Sequence, residues 1–540
     1  MTGGFSRRGL LAGAGGLALA GCTTVPAAGG PFRADWSSLI AGYRTPDWFR
    51  DAKLGIWSHW GPQCVPEAGD WYGRQMYQQG NPVYDHHLAT YGHPFEFGFM
   101  EFIGRWRADV FNPEALLDLY EAAGAKYIVS MANHHDNLDM FASAHHDWNT
   151  TRVGPGIDIV GTWERAVRAR GLRFGVSNHG AHAWHWWQTA YGYDPEGPRA
   201  GVRYDAARLR CQDGAGTWWD GLDPQALYTG ATMAPPDGID SIAAMNAFHE
   251  ANSGQWIETI PADNPGFATN WALRQRDLVD RYRPDFLYFD NYGLPLEHHG
   301  LEATAHYYNA SLDWRGELPV VTGKRLTVDQ RRGITESVER GFLTEIRDEP
   351  WQTCTCIGDW HYNRARFRDR SYVPVKAVIQ RLADVVSKNG TLLLSIPQRG
   401  DGSIDTEEQA ILHDMAAWMA VNGEAIHGTR PWRVWGEGPT EIREGMHGEG
   451  GVGPFTAADV RFTTKGDVLH AIAMDWPEDG HALRITSLGR RALSGRAVQA
   501  VALLGAGDLA FEQSDDALIV RLPGTRPVAF APVLKVRGLI

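Results

Sequence analysis

Between about Asp47 and Trp432 the chain switches repeatedly between two hydrophobic periods. The stretch "NPEALLDLYEAAG" (112–124) has apolar residues at helical spacing, an asparagine cap, a proline in its first turn and a glycine stop. It runs into the continuous apolar segment "KYIVSMA". The pattern recurs. "IVGTWERAVRARG" (159–171) precedes "LRFGVS", "WALRQRDLVDRYRP" (271–284) precedes "DFLYFD", and "VPVKAVIQRLADVVSKNG" (373–390) precedes "TLLLSIP". Uninterrupted apolar strands are expected of parallel strands covered on both faces. Repeated helix-then-strand units predict an α/β fold, a TIM-like (β/α) barrel over residues 31–430. A doubly wound sheet is the alternative, but no Gly-rich nucleotide loop follows any of these strands.

Two regions break the pattern. An irregular stretch rich in Trp, Gly and Pro covers about 180–265; it follows a strand end, so it is expected to overhang the functional face as a lid or specificity loop. After "VNGEAIHGTRPW" comes a Gly-rich connector, "REGMHGEGGVGPF" (443–455). Short alternating segments such as "DVLHAIAMDW" and "ALIVRLP" then predict an antiparallel β-sandwich domain over 431–540.

In a (β/α) barrel, chemistry collects at the C-terminal ends of the strands. Those ends carry Asn133-His134-His135-Asp136, Asn178-His179 and Asp290-Asn291. Composition narrows what they act on. The chain has 540 residues, 43% hydrophobic and 21% charged, as a globular protein does. A net charge of -13 argues against nucleic-acid binding, which needs a basic face. The 22 tryptophans offer flat apolar faces suited to sugar rings, although many must be core.

The N-terminus reads as a leader. Residues 1–22 combine Arg7-Arg8, a short apolar run and Leu19-Ala20-Gly21-Cys22, a twin-arginine export signal ending in a lipobox. The expected location is periplasmic or on the outer membrane, with membrane contact only through a lipid on Cys22. Plain cleavage and release is the alternative. Cys64, Cys211, Cys354 and Cys356 are too sparse for a disulfide scaffold, and Cys354-Thr355-Cys356 lacks a second pair for zinc.

Five ordered segments carry a family likeness: "DAKLGIWSHWGPQCVPEAGDWYGRQMY" (51–77), "EAAGAKYIVSMANHHDNLDMFASAHHDWNT" (121–150), "RPDFLYFDN" (283–291), "PWQTCTCIGDWHYNR" (350–364) and "DVVSKNGTLLLSIPQRGDGSID" (384–405). Together they resemble the α-L-fucosidases of glycoside hydrolase family 29, over about residues 45–435. The resemblance implies an exo-acting retaining glycosidase on a barrel followed by a β-sandwich, with no cofactor and no metal, acting on fucosylated oligosaccharide or polysaccharide. It implies double displacement by two carboxyl groups roughly 5–5.5 Å apart.

By that resemblance Asp290 is the nucleophile. The acid/base lies on a loop before Trp351; spacing favours Glu339, then Glu336, with Glu345 a third candidate. His59, His134 and His135 match positions that bind fucose hydroxyls, and Trp71 matches a tryptophan of the sugar pocket. Arg325 corresponds to an arginine near the acid/base loop, and Tyr288 is placed at the pocket floor. The chain also departs from the family. Asp70 stands where a glutamate is usual, and Ser177-Asn178-His179 stand where many members have tyrosines, so His179 is a further candidate contact. Trp184, Trp186 and Trp187 are outside the common pattern. Two rival readings remain open: a metal-dependent hydrolase ringed by His59, His134, His135, His179 and Asp290, and a non-catalytic carbohydrate-binding surface lipoprotein. Against the first, no early His-x-His strand motif is present.

Overall fold

The computed structural model describes residues 30–478 and 482–540. The leader read at 1–22, with its Cys22 anchor, lies outside them. Among the described residues no helix is long and apolar enough to cross a membrane.

Eight parallel strands form the barrel: β1 (Leu54–Ser58), β2 (Tyr127–Asn133), β3 (Arg173–Asn178), β4 (Phe286–Tyr292), β5 (Val320–Lys324), β6 (Thr335–Glu336), β7 (Trp351–Cys356) and β8 (Gly390–Ser395). Their order is β6-β5-β4-β3-β2-β1-β8-β7, and a parallel bridge between Ser337 and Gln352 nearly closes the ring. Helices Ile159–Ala169, Pro265–Tyr282 and Val375–Ser387 each lead into a strand at the predicted places. The first is capped by Asp158, whose carboxylate accepts the Gly161 N–H; the second has Pro265 in its first turn.

The period of two along each strand sorts the side chains. Ile56, Ile128, Phe174, Leu287 and Val321 face the surrounding helices in the large outer core. Trp57, Val129, Phe286, Tyr288, Val320 and Cys354 fill the barrel interior instead. Gly55 faces the ring of Tyr127 across β1 and β2, so closely that a side chain there has no room. The same alternation decides which residues reach the mouth. Phe286, Tyr288 and Asp290 share the inward face of β4. On β5, Val320, Thr322 and Lys324 share it, and Arg325 follows with a positive φ of 50°.

The 180–265 region is a packed wall of short helical turns with one longer helix, Ile242–Ala251. Trp184, Trp186 and Trp187 are buried within it. The C-terminal region is antiparallel. One sheet holds β9 (Arg430–Glu437), β10 (Val460–Lys465), β11 (Val468–Ala473), β13 (Ala500–Leu503), β14 (Gly507–Asp508) and β17 (Val533–Arg537). The other holds β12 (Leu483–Ile485), β15 (Phe511–Gln513) and β16 (Leu518–Val520). A buried ion cluster fastens this region to the barrel. Asp384, on helix Val375–Ser387, accepts from Lys388 Nζ at 2.7 Å and from Arg461 Nε of β10 at 2.7 Å. Removing one partner of such a cluster strands a buried charge, at a cost of about 3–5 kcal/mol.

Candidate active site

A cavity of about 220 Å³ opens at the C-terminal mouth of the barrel. That is small beside the ~300–1,000 Å³ of drug-sized pockets and suits a single ring. His59, Asp70, Trp71, His134, His135, His179, Tyr288 and Asp290 all line it, as does Glu339. Residues far apart in sequence thus converge at the ends of β1 to β5.

Asp290 is the electrostatic centre. Lys324 Nζ pairs with its Oδ1, His179 Nδ1 lies 3.3 Å from Oδ2, and His135 Nε2 lies 3.6 Å from Oδ2. The Tyr288 hydroxyl donates to Oδ1 at 3.4 Å. Burial by itself raises this carboxyl, yet the Lys324 charge and the imidazoles hold it well below the usual carboxylate range. Burial likewise disfavours charge on Lys324, and the two carboxylates beside it reverse that, so the ammonium is retained. The second carboxylate is Glu339, whose Oε2 lies 2.5 Å from Lys324 Nζ. One ammonium therefore touches Asp290 and Glu339 together. Both carboxylates thus face one end of the same cavity, the arrangement that a two-carboxylate glycosidase mechanism requires.

The other two acidic candidates stand elsewhere. Glu336 pairs with Arg331 at 2.7 Å and Arg347 at 3.1 Å, and accepts the Leu326 N–H; it does not line the cavity. Glu345 is exposed and paired with Arg347. Arg325 is displaced as well. Its side chain is exposed and its guanidinium lies 4.0 Å over the Tyr292 ring, where the left-handed backbone after β5 turns it. Its neighbour Lys324 holds the inward position.

Burial disfavours charge on His59, His134 and His135. Burial, then the nearby histidines, push His59 and His134 well below the ordinary histidine range; burial brings His135 down to about 3. His134 Nδ1 is 2.8 Å from Gln63 Nε2, and His135 Nδ1 is 2.9 Å from the His179 carbonyl. Behind them Arg274 bonds Asp139 at 2.6 Å and Asn137 at 2.7 Å, fixing the loop after β2. Both ring nitrogens of His59 lack a hydrogen-bond partner although buried. An imidazole with both nitrogens free, as in His59, suits a sugar hydroxyl, since it offers a donor and an acceptor; His134 and His135 each keep Nε2 for the same use.

Sequence reasoning missed several contributors. Trp256 comes from the irregular region; it stands over His182 with ring centroids 3.8 Å apart and lies parallel to Trp71, 6.3 Å away. Glu258 ties its segment down, accepting from Asn291 Nδ2 at 2.6 Å and the Tyr292 N–H at 2.7 Å. Met446 and His447 reach the cavity from the Gly-rich connector. None of these stretches has a periodicity that points inward. Lys324 did carry a signal, its two-residue spacing from Val320 and Thr322.

A paired carboxylate site at the mouth of a (β/α) barrel, walled by aromatics and imidazoles, defines a glycoside hydrolase. Comparison with known proteins gives its kind. The α-L-fucosidase family model matches residues 20–424, and the model of the α-L-fucosidase C-terminal domain matches residues 454–537. The chain belongs to the α-L-fucosidase family. It is 26% identical to the tissue α-L-fucosidase of Rattus norvegicus over 532 residues, covering 93% of this chain and 91% of that one. The human tissue α-L-fucosidase is also 26% identical, over 515 residues, covering 94% and 91%. In structure the chain is similar to the Thermotoga maritima α-fucosidase solved with a mechanism-based inhibitor. Identity there is 24%, the TM-score is 0.67, and the match covers 94% of this chain and all of that one. At that identity the likeness speaks for the fold.

Proposed function

We propose that this protein is an exo-acting, retaining α-L-fucosidase that releases terminal α-L-fucose by double displacement, with Asp290 as nucleophile and Glu339 as acid/base. The observation that supports these roles is the shared contact of Lys324 with both carboxylates. Asp290, kept ionised, attacks the anomeric carbon as Glu339 gives its proton to the leaving oxygen. A fucosyl–Asp290 ester forms and the glycosidic bond breaks. Glu339 then takes a proton from water, whose oxygen attacks the anomeric carbon and frees Asp290. His59, His134 and His135 hold ring hydroxyls, and Trp71 and Trp256 wall the opening.

The deciding experiment uses protein lacking residues 1–22 on an aryl α-L-fucoside, beside Asp290→Gly with and without azide. Wild-type turnover, its loss in the variant, and azide rescue giving β-fucosyl azide are expected. Unimpaired turnover in Asp290→Gly overturns the assignment.

A metal reading has one observation in its favour. The ligand atoms of His59, His134 and His361, and those of His134, His135 and His179, each lie within 4.8 Å of one another. Activity that EDTA abolishes and Zn²⁺ restores supports that reading; activity indifferent to EDTA supports the carboxylate mechanism. Export as a lipoprotein rests on residues 1–22 alone, and a Cys22→Ala variant that stays membrane-bound in cells overturns it.

A further inference from the structure

We propose that His361 is a fourth imidazole that binds the sugar, and that Asp70 positions it. This rests on the glycosidase function proposed above.

His361 follows β7 in the segment "GDWHYN". It is fully buried and lines the cavity. Its ring stands edge-on to His59, with centroids 4.7 Å apart, and edge-on to His134, at 4.6 Å. Neither of its ring nitrogens has a hydrogen-bond partner. Buried polar groups are almost always paired, and leaving one unpaired is costly. A substrate hydroxyl entering this cavity can donate to one imidazole nitrogen or accept from it.

Asp70 explains why a histidine serves here. The family resemblance expects a glutamate at this position, and the aspartate is one methylene shorter. Its two carboxylate oxygens accept the backbone N–H groups of Trp360, at 3.0 Å, and His361, at 2.7 Å. The carboxylate is thus engaged in holding the 359–363 loop against the loop after β1. Its Oδ1 also lies 3.4 Å from His361 Nδ1. A carboxylate beside Nδ1 favours the tautomer protonated there, leaving Nε2 as the acceptor for a hydroxyl. Asp70 therefore acts through His361, and His361 supplies the reach that the shorter side chain lacks.

The test compares wild type, His361→Phe, His361→Gln, Asp70→Asn and Asp70→Asn/His361→Phe. Each is assayed on 4-nitrophenyl α-L-fucoside and titrated calorimetrically with L-fucose. His361→Phe is expected to raise KM and the Kd for L-fucose about tenfold, the loss of one good hydrogen bond, with kcat changed less than about threefold. His361→Gln, which keeps a donor and an acceptor, recovers part of that loss. Asp70→Asn weakens binding in the wild-type background and adds little in the His361→Phe background, as coupled residues do. Wild-type turnover with unchanged KM and Kd in His361→Phe overturns the role of His361. Multiplying effects in the double variant overturn the positioning role of Asp70. Equal losses of kcat and binding affinity in His361→Phe, without recovery in His361→Gln, mark general distortion and overturn both. A wild-type protein that neither cleaves the fucoside nor binds L-fucose overturns the function proposed above.

Discussion

Lys324 Nζ, at the end of β5, pairs directly with the Asp290 carboxylate at the end of β4. The pair is buried, so the attraction is little screened. The same ammonium reaches Glu339, which makes Lys324 the hinge of the site's electrostatics.

Lys324→Ala is expected to lower kcat about 10²–10³-fold, the range for losing a charge-stabilising donor in a closed site. Lys324 holds the Asp290 carboxyl down, and without it burial pushes that carboxyl up. The acid limb of the kcat/KM pH profile should therefore move to higher pH. An unmoved acid limb in an active variant contradicts this account.

Glu339→Gln and Glu336→Gln should differ in kind. Glu339→Gln is expected to slow fucosides with poor leaving groups about 10²–10⁴-fold and activated aryl fucosides much less. Glu336→Gln should keep kcat but lower Tm, because Arg331 and Arg347 lose their shared carboxylate, a loss of about 1–3 kcal/mol. Leaving-group dependence appearing in Glu336→Gln instead would reverse the two roles.

Glu258 gives a pH signature of stability. Burial pushes its carboxyl up to about 7, against the Asn291 and Tyr292 donors that favour the ion. The folded protein therefore holds this proton more tightly than the unfolded chain does. Its contribution to stability is complete below the ordinary carboxyl range and is lost as pH rises toward 7. Wild-type Tm should decline between about pH 5 and 7, and Glu258→Gln should lose part of that decline. Parallel curves for the two proteins would show that Glu258 does not titrate there.

The Gly-rich connector is fastened to the segment that carries Glu339. The His447 N–H donates to the Glu339 carbonyl at 2.9 Å, and the Glu449 N–H to the Arg340 carbonyl at 3.0 Å. The Glu449 carboxylate also meets Arg381 at 3.0 Å and accepts from Thr355 at 2.9 Å. Glu449→Ala should loosen Glu339 and lower kcat about tenfold with little change in KM, as misplacement of a catalytic group does. Protease cleavage within 443–455 should speed up in the same variant. Unchanged kcat and unchanged cleavage would show that the connector merely passes by.

The barrel was legible in the sequence because β2, β3, β4 and β8 are apolar runs, each with its own helix before it. Asp290 at the end of "DFLYFD", and the histidines that follow the apolar runs of β2 and β3, could be placed at strand ends from the sequence alone. Such features are local: a period of two or 3.6 fixes which face a residue joins. Which of Glu339 and Glu336 reaches the cavity, the inward turn of Lys324 rather than Arg325, and the arrival of His361, Trp256 and His447 were decided only by the tertiary structure. These residues lie on loops or strand ends, where no period reports direction. Their partners stand tens to hundreds of positions away, and only the closed barrel brings those partners within reach.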